Sequence, residues 1–555
     1  MKQKSSILQI FFMIKNRIPA LCVMVAANCA VALLSVSFAL GTRNVIDTAV
    51  SGNKDSFLNA CFVQAGIILA ILVCFGVFRF LKERLIAEVD RDLKRDFMKS
   101  VVSADFSKAA AYHSGELINR ASNDIRILTD GIFNVIPGFV SMIFKMAISF
   151  FALWKLEKGF ALVILVAGLA VVALTGIMRI SLKGLHKKIS SADGVVTSFF
   201  QEIFEKLIVV QAMGAEREVI GRADALLGHR FSLQMKRKNI NILANLGVSS
   251  MSYLASFAAL AWCSVGIING STTFGGLTAV TQLVLQLQSP VTNLSGTIPQ
   301  YVAMIAAWER LKEIFDIKED KKESSVDICG LYEKTDTIGC RKLSFTYDRD
   351  TVFDKAEFEI EKGSFILIKG SSGIGKSTLL KLMLGIYKAD EGEFYLRNSE
   401  GETILNKEHR GIFSYVPQGN LLLSGTIRDN LLLGNPDSDE EMINQAVYVS
   451  CMDEYLSSLP DGLDTVLTEN SGGLSEGQAQ RIAIARALLS GAPIMLFDEI
   501  TSALDSHTES MVLQRIKELK DRTCFIVTHR PVSEELCDGV LEIEKGRISF
   551  IKYNR

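Results

Sequence analysis

Six times in its first 300 residues the chain runs apolar for about 20 to 28 residues: 18–40, 57–78, 133–154, 160–180, 241–268 and 277–298. A helix rises about 1.5 Å per residue, so each run covers the roughly 30 Å of a bilayer's hydrocarbon. The lipid core satisfies no backbone polar group, so these runs must be helices. The first run follows Lys2, Lys4, Lys15 and Arg17 and superficially resembles a secretory signal. It is too long for a signal core and further spans follow it, so it reads as a retained transmembrane helix.

The loops between the spans are unequal. Short ones (42–56, 155–158, 269–276) alternate with two stretches of about sixty residues carrying "LKERLIAEVDRDLKRDFMK" and "RISLKGLHKKI". Lys82, Arg84, Arg179, Lys183, Lys187 and Lys188 lie close to span ends there. By the positive-inside rule both long stretches and both termini face the cytoplasm. Their helical patterning without Pro or Gly clusters predicts that the spans continue as helices beyond the membrane.

Polar residues recur at helical spacing in the last two spans: Asn241, Asn245, Ser249, Ser252 and Ser256 in the fifth, and Thr278, Gln282, Gln286, Ser289, Asn293, Thr297 and Gln300 in the sixth. Such stripes cannot face lipid. They serve either hydrogen bonds between helices or a water-filled substrate cavity, and two long stripes favour the cavity. Lys145 is the one clear charge in a span interior, either paired, snorkelling or turned to an acidic substrate group.

Composition changes after Lys318, where charge and glycine punctuation replace the apolar runs. The charged "IKEDKKESS" is the expected linker, giving a transmembrane domain over 1–316, a linker over 317–334 and a second domain over 335–555. The net charge of −1 offers no electrostatic case for nucleic acid as a partner. Ten cysteines form no C-x-x-C pair, so no zinc site or disulfide framework is indicated.

"GSFILIKGSSGIGKSTLLKLMLG" is an apolar strand, a glycine loop and a helix. Gly370, Ser371, Ser372, Gly373, Ile374, Gly375, Lys376 and Ser377 fit G-x-x-x-x-G-K-[ST], and Thr378 continues the helix start. Loop N–H groups and the helix N-terminus suit phosphate, Lys376 would reach the β- and γ-phosphates, and Ser377 would bind Mg²⁺. A second apolar run, "APIMLFDEITSALD", ends in Asp498, suited to Mg²⁺, and Glu499, placed to act on an attacking water.

Taken together the chain resembles an ABC transporter half-molecule of the exporter type. The fold class implied is multidomain, an all-α six-span transmembrane domain followed by an α/β P-loop NTPase domain of the ABC type. The resemblance implies that Tyr347 in "LSFTY" stacks on adenine. It implies that Gln418 in "YVPQGN" contacts Mg²⁺ and the γ-phosphate, that Asp505 in "SALD" crosses the dimer, and that His529 in "CFIVTHR" is the switch histidine. "HSGELINRASNDIRIL" and "FFQEIFEKLIVVQAMGAE" resemble the two cytoplasmic coupling regions. ATP and Mg²⁺ follow as ligands. The partners implied are a second half-transporter, identical or different, the bilayer and a transported substrate. The expected location is the inner (plasma) membrane with the ATP-binding domain in the cytoplasm. A membrane ATP-binding regulator, or an importer of the same fold, is the alternative.

One segment departs from the pattern. "LSEGQ" places Glu476 where the family's signature usually has glycine, with Ser475, Gly477 and Gln478 in their usual places. Ser475 and Gln478 make an S-x-x-Q capping box, so the spacing predicts a helix starting there with Glu476 in its first turn. A carboxylate is favoured at that end of a helix dipole by about 0.3–1 kcal/mol. Repulsion from ATP opposes it by roughly 2 kcal/mol at about 8 Å, before the side chain turns to water.

Overall fold

The computed structural model describes residues 8–10, 12–317, 327–347, 350–419, 422–468, 473–500, 503–519, 522–528 and 530–553, with backbone alone at 169–183, 186–187, 291–296, 298 and 531–533. Half of the expected linker (318–326), His529, and the side chains of Arg179, Lys183, Lys187 and Asn293 lie outside these described residues. The chain forms two compact units, Met1–Lys99 with His113–Asp316, and Ser100–Tyr112 with Ile317–Arg555.

The first unit is helical. Its long helices are α1 (Ile18–Val50), α2 (Lys54–Val102), α3 (Ile136–Leu156), α4 (Lys158–Glu205), α5 (Glu216–Ile268) and α6 (Phe274–Phe315), one for each apolar run. Among the described residues, four helical stretches, those carrying α1, α2, α3 and α5, are long and apolar enough to cross a membrane by length and composition alone. Pro19 opens α1, where a missing N–H costs nothing. Pro290 and Pro299 sit inside α6, where neighbouring helices can satisfy the freed carbonyls. Val36 and Ala39 of α1, Leu153 of α3, Phe160 of α4, Ala259 of α5 and Leu283 of α6 form a shared core. In α2 the apolar window has none of its side chains buried within the chain.

Part of the polar striping is spent on packing. Gln286 of the α6 stripe donates to the Ser35 carbonyl of α1 at 2.9 Å, and Gln288, which lies off that stripe, donates to the Ser252 carbonyl of α5 at 2.9 Å. These residues therefore serve as hydrogen-bonding links between helices.

Before α3 the helix widens twice, into π-turns at Arg120–Asp124 and Gly131–Val135. The first carries a charged cluster. Buried Asp124 accepts two hydrogen bonds from Arg310 of α6, at 2.6 and 2.8 Å. Arg120 donates to the Arg310 carbonyl at 2.6 Å and pairs with Glu116 at 2.6 Å and Glu313 at 2.9 Å.

The second unit is built on a six-stranded sheet of order β12-β11-β3-β10-β9-β6. Its strands are β3 (Phe365–Lys369), β6 (Phe413–Val416), β9 (Ile494–Asp498), β10 (Thr523–Val527), β11 (Gly539–Glu544) and β12 (Arg547–Lys552). All neighbours are parallel except β11 and β12. Strands β9 and β10 are buried at every position, which is why they read as continuous apolar runs. A four-stranded antiparallel sheet, β2-β1-β4-β5, adds β1 (Thr337–Tyr347), β2 (Asp350–Glu361), β4 (Glu391–Asn398) and β5 (Gly401–Ile404), and β7 (Gly425–Thr426) pairs with β8 (Val466–Leu467). Helices α7 (Lys376–Met383), α8 (Glu476–Leu489) and α9 (Ser506–Glu518) complete the frame used below.

Two boundaries differ from the sequence reading. A short helix, Ile328–Glu333, lies inside the stretch assigned to the linker. Its buried Tyr332 hydroxyl shares a 2.8 Å hydrogen bond with Thr523 of β10, so the second unit's core begins before residue 335. From the first long loop, Ser100–Tyr112 belongs to the second unit and the motif starting at His113 does not. Ser100–Tyr112 holds a one-turn helix, Phe106–Ala109, capped by Asp105, and the Phe106 ring meets Tyr387 edge-on at 6.1 Å.

Candidate functional site

The parallel strands end in a row. Ile368 of β3 pairs with Val527 of β10, which pairs with Asp498 of β9. Crevices at the carboxyl ends of such strands are where open α/β sheets hold ligands. The loop leaving β3, residues 370–375, turns into α7 with Gly375 at φ 113°. A Cβ there would strike Val352, so this position needs glycine for both conformation and space. Lys376 is buried, and its ammonium donates to the Gly370 and Ser371 carbonyls at 2.9 and 3.1 Å. The loop's own carbonyls thus hold the lysine across the glycine turn.

Asp498 is 2% exposed and accepts from Ser377 Oγ at 2.9 Å and from the Tyr415 hydroxyl at 3.2 Å. Burial is the main cause that raises its carboxyl above the usual range, against those two donors. Burial also pushes the Tyr415 phenol up. Oxygen donors only, one of them a buried carboxylate that forms no ion pair among the described residues, suit a hard divalent ion such as Mg²⁺. Replacing Asp498 by Asn is expected to raise the thermal stability of the nucleotide-free protein. The raised carboxyl costs stability at neutral pH, where it is charged, and that cost fades as pH falls toward the folded-state pKa. Scanning calorimetry of the two proteins over a series of falling pH checks this; the difference should shrink as the pH is lowered.

Glu499, next along, has φ 53°, a left-handed conformation unfavourable for glutamate, and its N–H is held by the Val527 carbonyl at 3.0 Å. Such strain collects at functional sites. Gln418 donates from Nε2 to Glu499 at 2.6 Å, leaving the amide oxygen of Gln418 available. Tyr347 is 40% exposed, with its ring edge-on to Phe345 at 5.0 Å and to Tyr387 at 5.5 Å. Burial leads the causes that raise its phenol, followed by the neighbouring Tyr387 hydroxyl.

The signature forms its own local structure. Ser475 caps α8, its Oγ accepting from the Gln478 N–H at 3.2 Å while the Gln478 side chain accepts from the Ser475 N–H at 2.8 Å. Glu476 is exposed in the first turn, as the capping box requires. Gly477 is needed for proximity: a Cβ would come within 2.8 Å of the Ala503 carbonyl. Asp505 caps α9, accepting from the His507 and Thr508 N–H groups at 3.1 and 2.9 Å. Those backbone donors, led by Thr508, hold its carboxyl below the usual range.

The six-stranded, mostly parallel sheet with a phosphate-type loop, a strand-end carboxylate pair and a capped signature helix follows a helical membrane region in the same chain. The family described as ABC transporter transmembrane region matches residues 9–291, and the family described as ABC transporter matches 353–502. The chain belongs to the ABC transporter family. Among its relatives, an ATP-dependent lipid A-core flippase of Desulfotalea psychrophila is 28% identical over 87% of this chain and 85% of its own length. A probable ABC transporter ATP-binding/permease protein of Haemophilus influenzae is 28% identical over 90% and 91%. A solved structure of a bacterial Atm1-family ABC exporter with ATP bound shares the fold, with a TM-score of 0.79 at 22% identity over 97% of this chain and 94% of that one. This ABC transporter therefore joins a transmembrane region of exporter fold to an ATP-binding, ATP-hydrolysing cassette that drives transport.

The cassette also uses residues that motif reading passed over. Tyr415 holds Asp498, and its only sequence signal is its place three residues before Gln418 on a buried strand. Buried Gln480 accepts from the Ala503 N–H at 3.3 Å, fixing the segment Gly477 approaches. Arg530 bonds the Leu504 carbonyl and, at 3.1 Å, fully buried Glu509.

Proposed function

We propose that this ABC transporter works as a dimer of half-molecules, a second copy or a related chain, that exports an amphiphilic substrate across the inner membrane with its cassettes in the cytoplasm. The observation that carries the reading is the pairing, in one chain, of the transmembrane region with an intact set of ATP-site groups: Lys376, Ser377, Gln418, Asp498 and Glu499 in one crevice, and Ser475, Gly477 and Gln478 at a capped helix start. The signature serves the ATP held by the partner's phosphate loop, which makes a lone half-molecule incomplete. The names of the relatives favour an amphiphile as cargo.

In this reading the loop 370–375 and the N-terminus of α7 hold the phosphates, with Lys376 leaving its carbonyl partners for the γ-phosphate. Ser377, Asp498 and the Gln418 amide oxygen hold Mg²⁺, which when bound neutralises phosphate charge. Tyr347 offers its ring to adenine. Glu499 takes the proton of the attacking water, with Gln418 setting its orientation. Asp505, beyond capping α9, meets the partner, and the family resemblance gives His529 the role of switch histidine on the γ-phosphate. ATP-driven closing of the paired cassettes turns the cavity outward, and hydrolysis resets it.

Purified protein in vesicles, alongside Glu499→Gln, tests the reading. Wild type should move a fluorescent lysolipid between leaflets on ATP addition, and the variant should not. ATP hydrolysis without movement of any amphiphile in either direction would favour the regulator alternative. Glu476→Gly is expected to change ATP affinity by about tenfold or less, because the repulsion of roughly 2 kcal/mol falls once the exposed side chain turns to water. Nucleotide binding to the two proteins checks this.

A further inference from the structure

Lys145 stands at residue ten of a 21-residue helix, α3, in the middle of a membrane span. At 1.5 Å per residue its Cα is roughly 16 Å from the Leu156 end, about half a bilayer's hydrocarbon and beyond what a four-carbon stem can cover. Snorkelling to that interface is therefore closed to it. The other direction is closed in the same way, because α3 continues as helix below Ile136.

Its face is turned inward. Ser141, Lys145 and Ser149 follow each other at four-residue spacing, which places them along one side of α3. Ser141 accepts from Asn28 of α1 at 2.8 Å, and Ser149 donates to Gln286 of α6 at 3.5 Å. Gln286 in turn donates to α1 at Ser35. The stripe thus looks toward α1 and α6 and away from lipid. Ser141 and Ser149 have partners there; among the described residues the Lys145 ammonium has no hydrogen bond or ion pair.

A counter-charge cannot come from the spans. The six apolar runs, 18–40, 57–78, 133–154, 160–180, 241–268 and 277–298, contain no aspartate or glutamate. A second copy of the chain brings none either. Headgroups of surrounding lipid lie at the interface, half a bilayer away. An unpaired intramembrane cation facing a helix bundle marks a ligand pathway. We infer that Lys145 is the anchor for an anionic group, phosphate or carboxylate, on the transported amphiphile. This deepens the export reading and rests on it for the word transported.

The test measures binding without ATP, so failure of ATP-driven movement and failure of this inference are separate results. The full chain in phosphatidylcholine nanodiscs is titrated with lysophosphatidic acid, with lysophosphatidylcholine and with inorganic phosphate, following tryptophan fluorescence. Wild type and Lys145→Arg should bind the anionic lysolipid about tenfold or more tighter than the zwitterionic one, a charge-assisted contact being the difference. Lys145→Met should bring the two lysolipids to equal affinity, and Lys145→Glu should invert their order. Lys145→Met retaining the anionic preference, or losing both lysolipids equally, overturns the inference. Inorganic phosphate binding as tightly as the anionic lysolipid overturns the amphiphile as its ligand. Recovery in Lys145→Arg excludes a merely structural loss, which an arginine of greater bulk would not repair.

Discussion

Glu499→Gln is expected to lower ATP turnover by about 10²–10⁴-fold, the contribution of a positioned general base, while ATP affinity changes only a few-fold. The side chain that carries this effect is unusually constrained. Its backbone is held in a left-handed conformation by the Val527 carbonyl, and its carboxylate receives the Gln418 amide at 2.6 Å. Glutamine keeps the size and can still accept from Gln418 through its amide oxygen, so binding geometry survives and proton acceptance does not. Single-turnover hydrolysis with radiolabelled ATP, together with retention of nucleotide by the paired chains, separates the two. A loss of tenfold or less would place the base on another residue.

The second large effect concerns stability. Asp124→Ala is expected to destabilise the helical unit by about 3 kcal/mol, toward the low end for breaking a buried ion pair because half of Arg310 reaches solvent. Asp124 is 1% exposed and takes both hydrogen bonds of the Arg310 fork. Removing it strands Arg310, whose carbonyl in turn holds the buried Arg120. The wide turn at Arg120–Asp124 brings both side chains to the same side of the helix, toward α6. Asp124→Leu combined with Arg310→Met should recover most of the loss, since an apolar pair of similar volume leaves no orphaned charge. Thermal unfolding in detergent, single against double variant, checks this. An Asp124→Ala protein as stable as wild type would show that the pair contributes no net stability.

What could be read without the structure shares one physical trait: the interactions are local in sequence. A span needs only a continuous apolar run, because lipid acts on each residue independently. The phosphate loop is eight consecutive residues. The capping box at Ser475 and Gln478 closes over three residues, and its hydrogen bonds occur as that spacing demands. For the same reason Glu476 could be understood as a first-turn acid from the sequence alone.

Tertiary structure decided whatever depends on residues far apart in the chain. Tyr415 lies 83 positions from the Asp498 it bonds, and Asp124 lies 186 from Arg310. No spacing rule predicts such partners. The polar stripes show the division most plainly. Their periodicity determined that they avoid lipid, but only the packed helices revealed that Gln286 is spent on neighbouring backbone while Lys145, on the side facing α1 and α6, has no partner among the described residues. The sequence alone determined that a charge sits at mid-membrane with no acid among the spans. Which way that charge faces depended on the packing of α1, α3 and α6, because a helix fixes the relative angles of its side chains and leaves its own rotation to its neighbours.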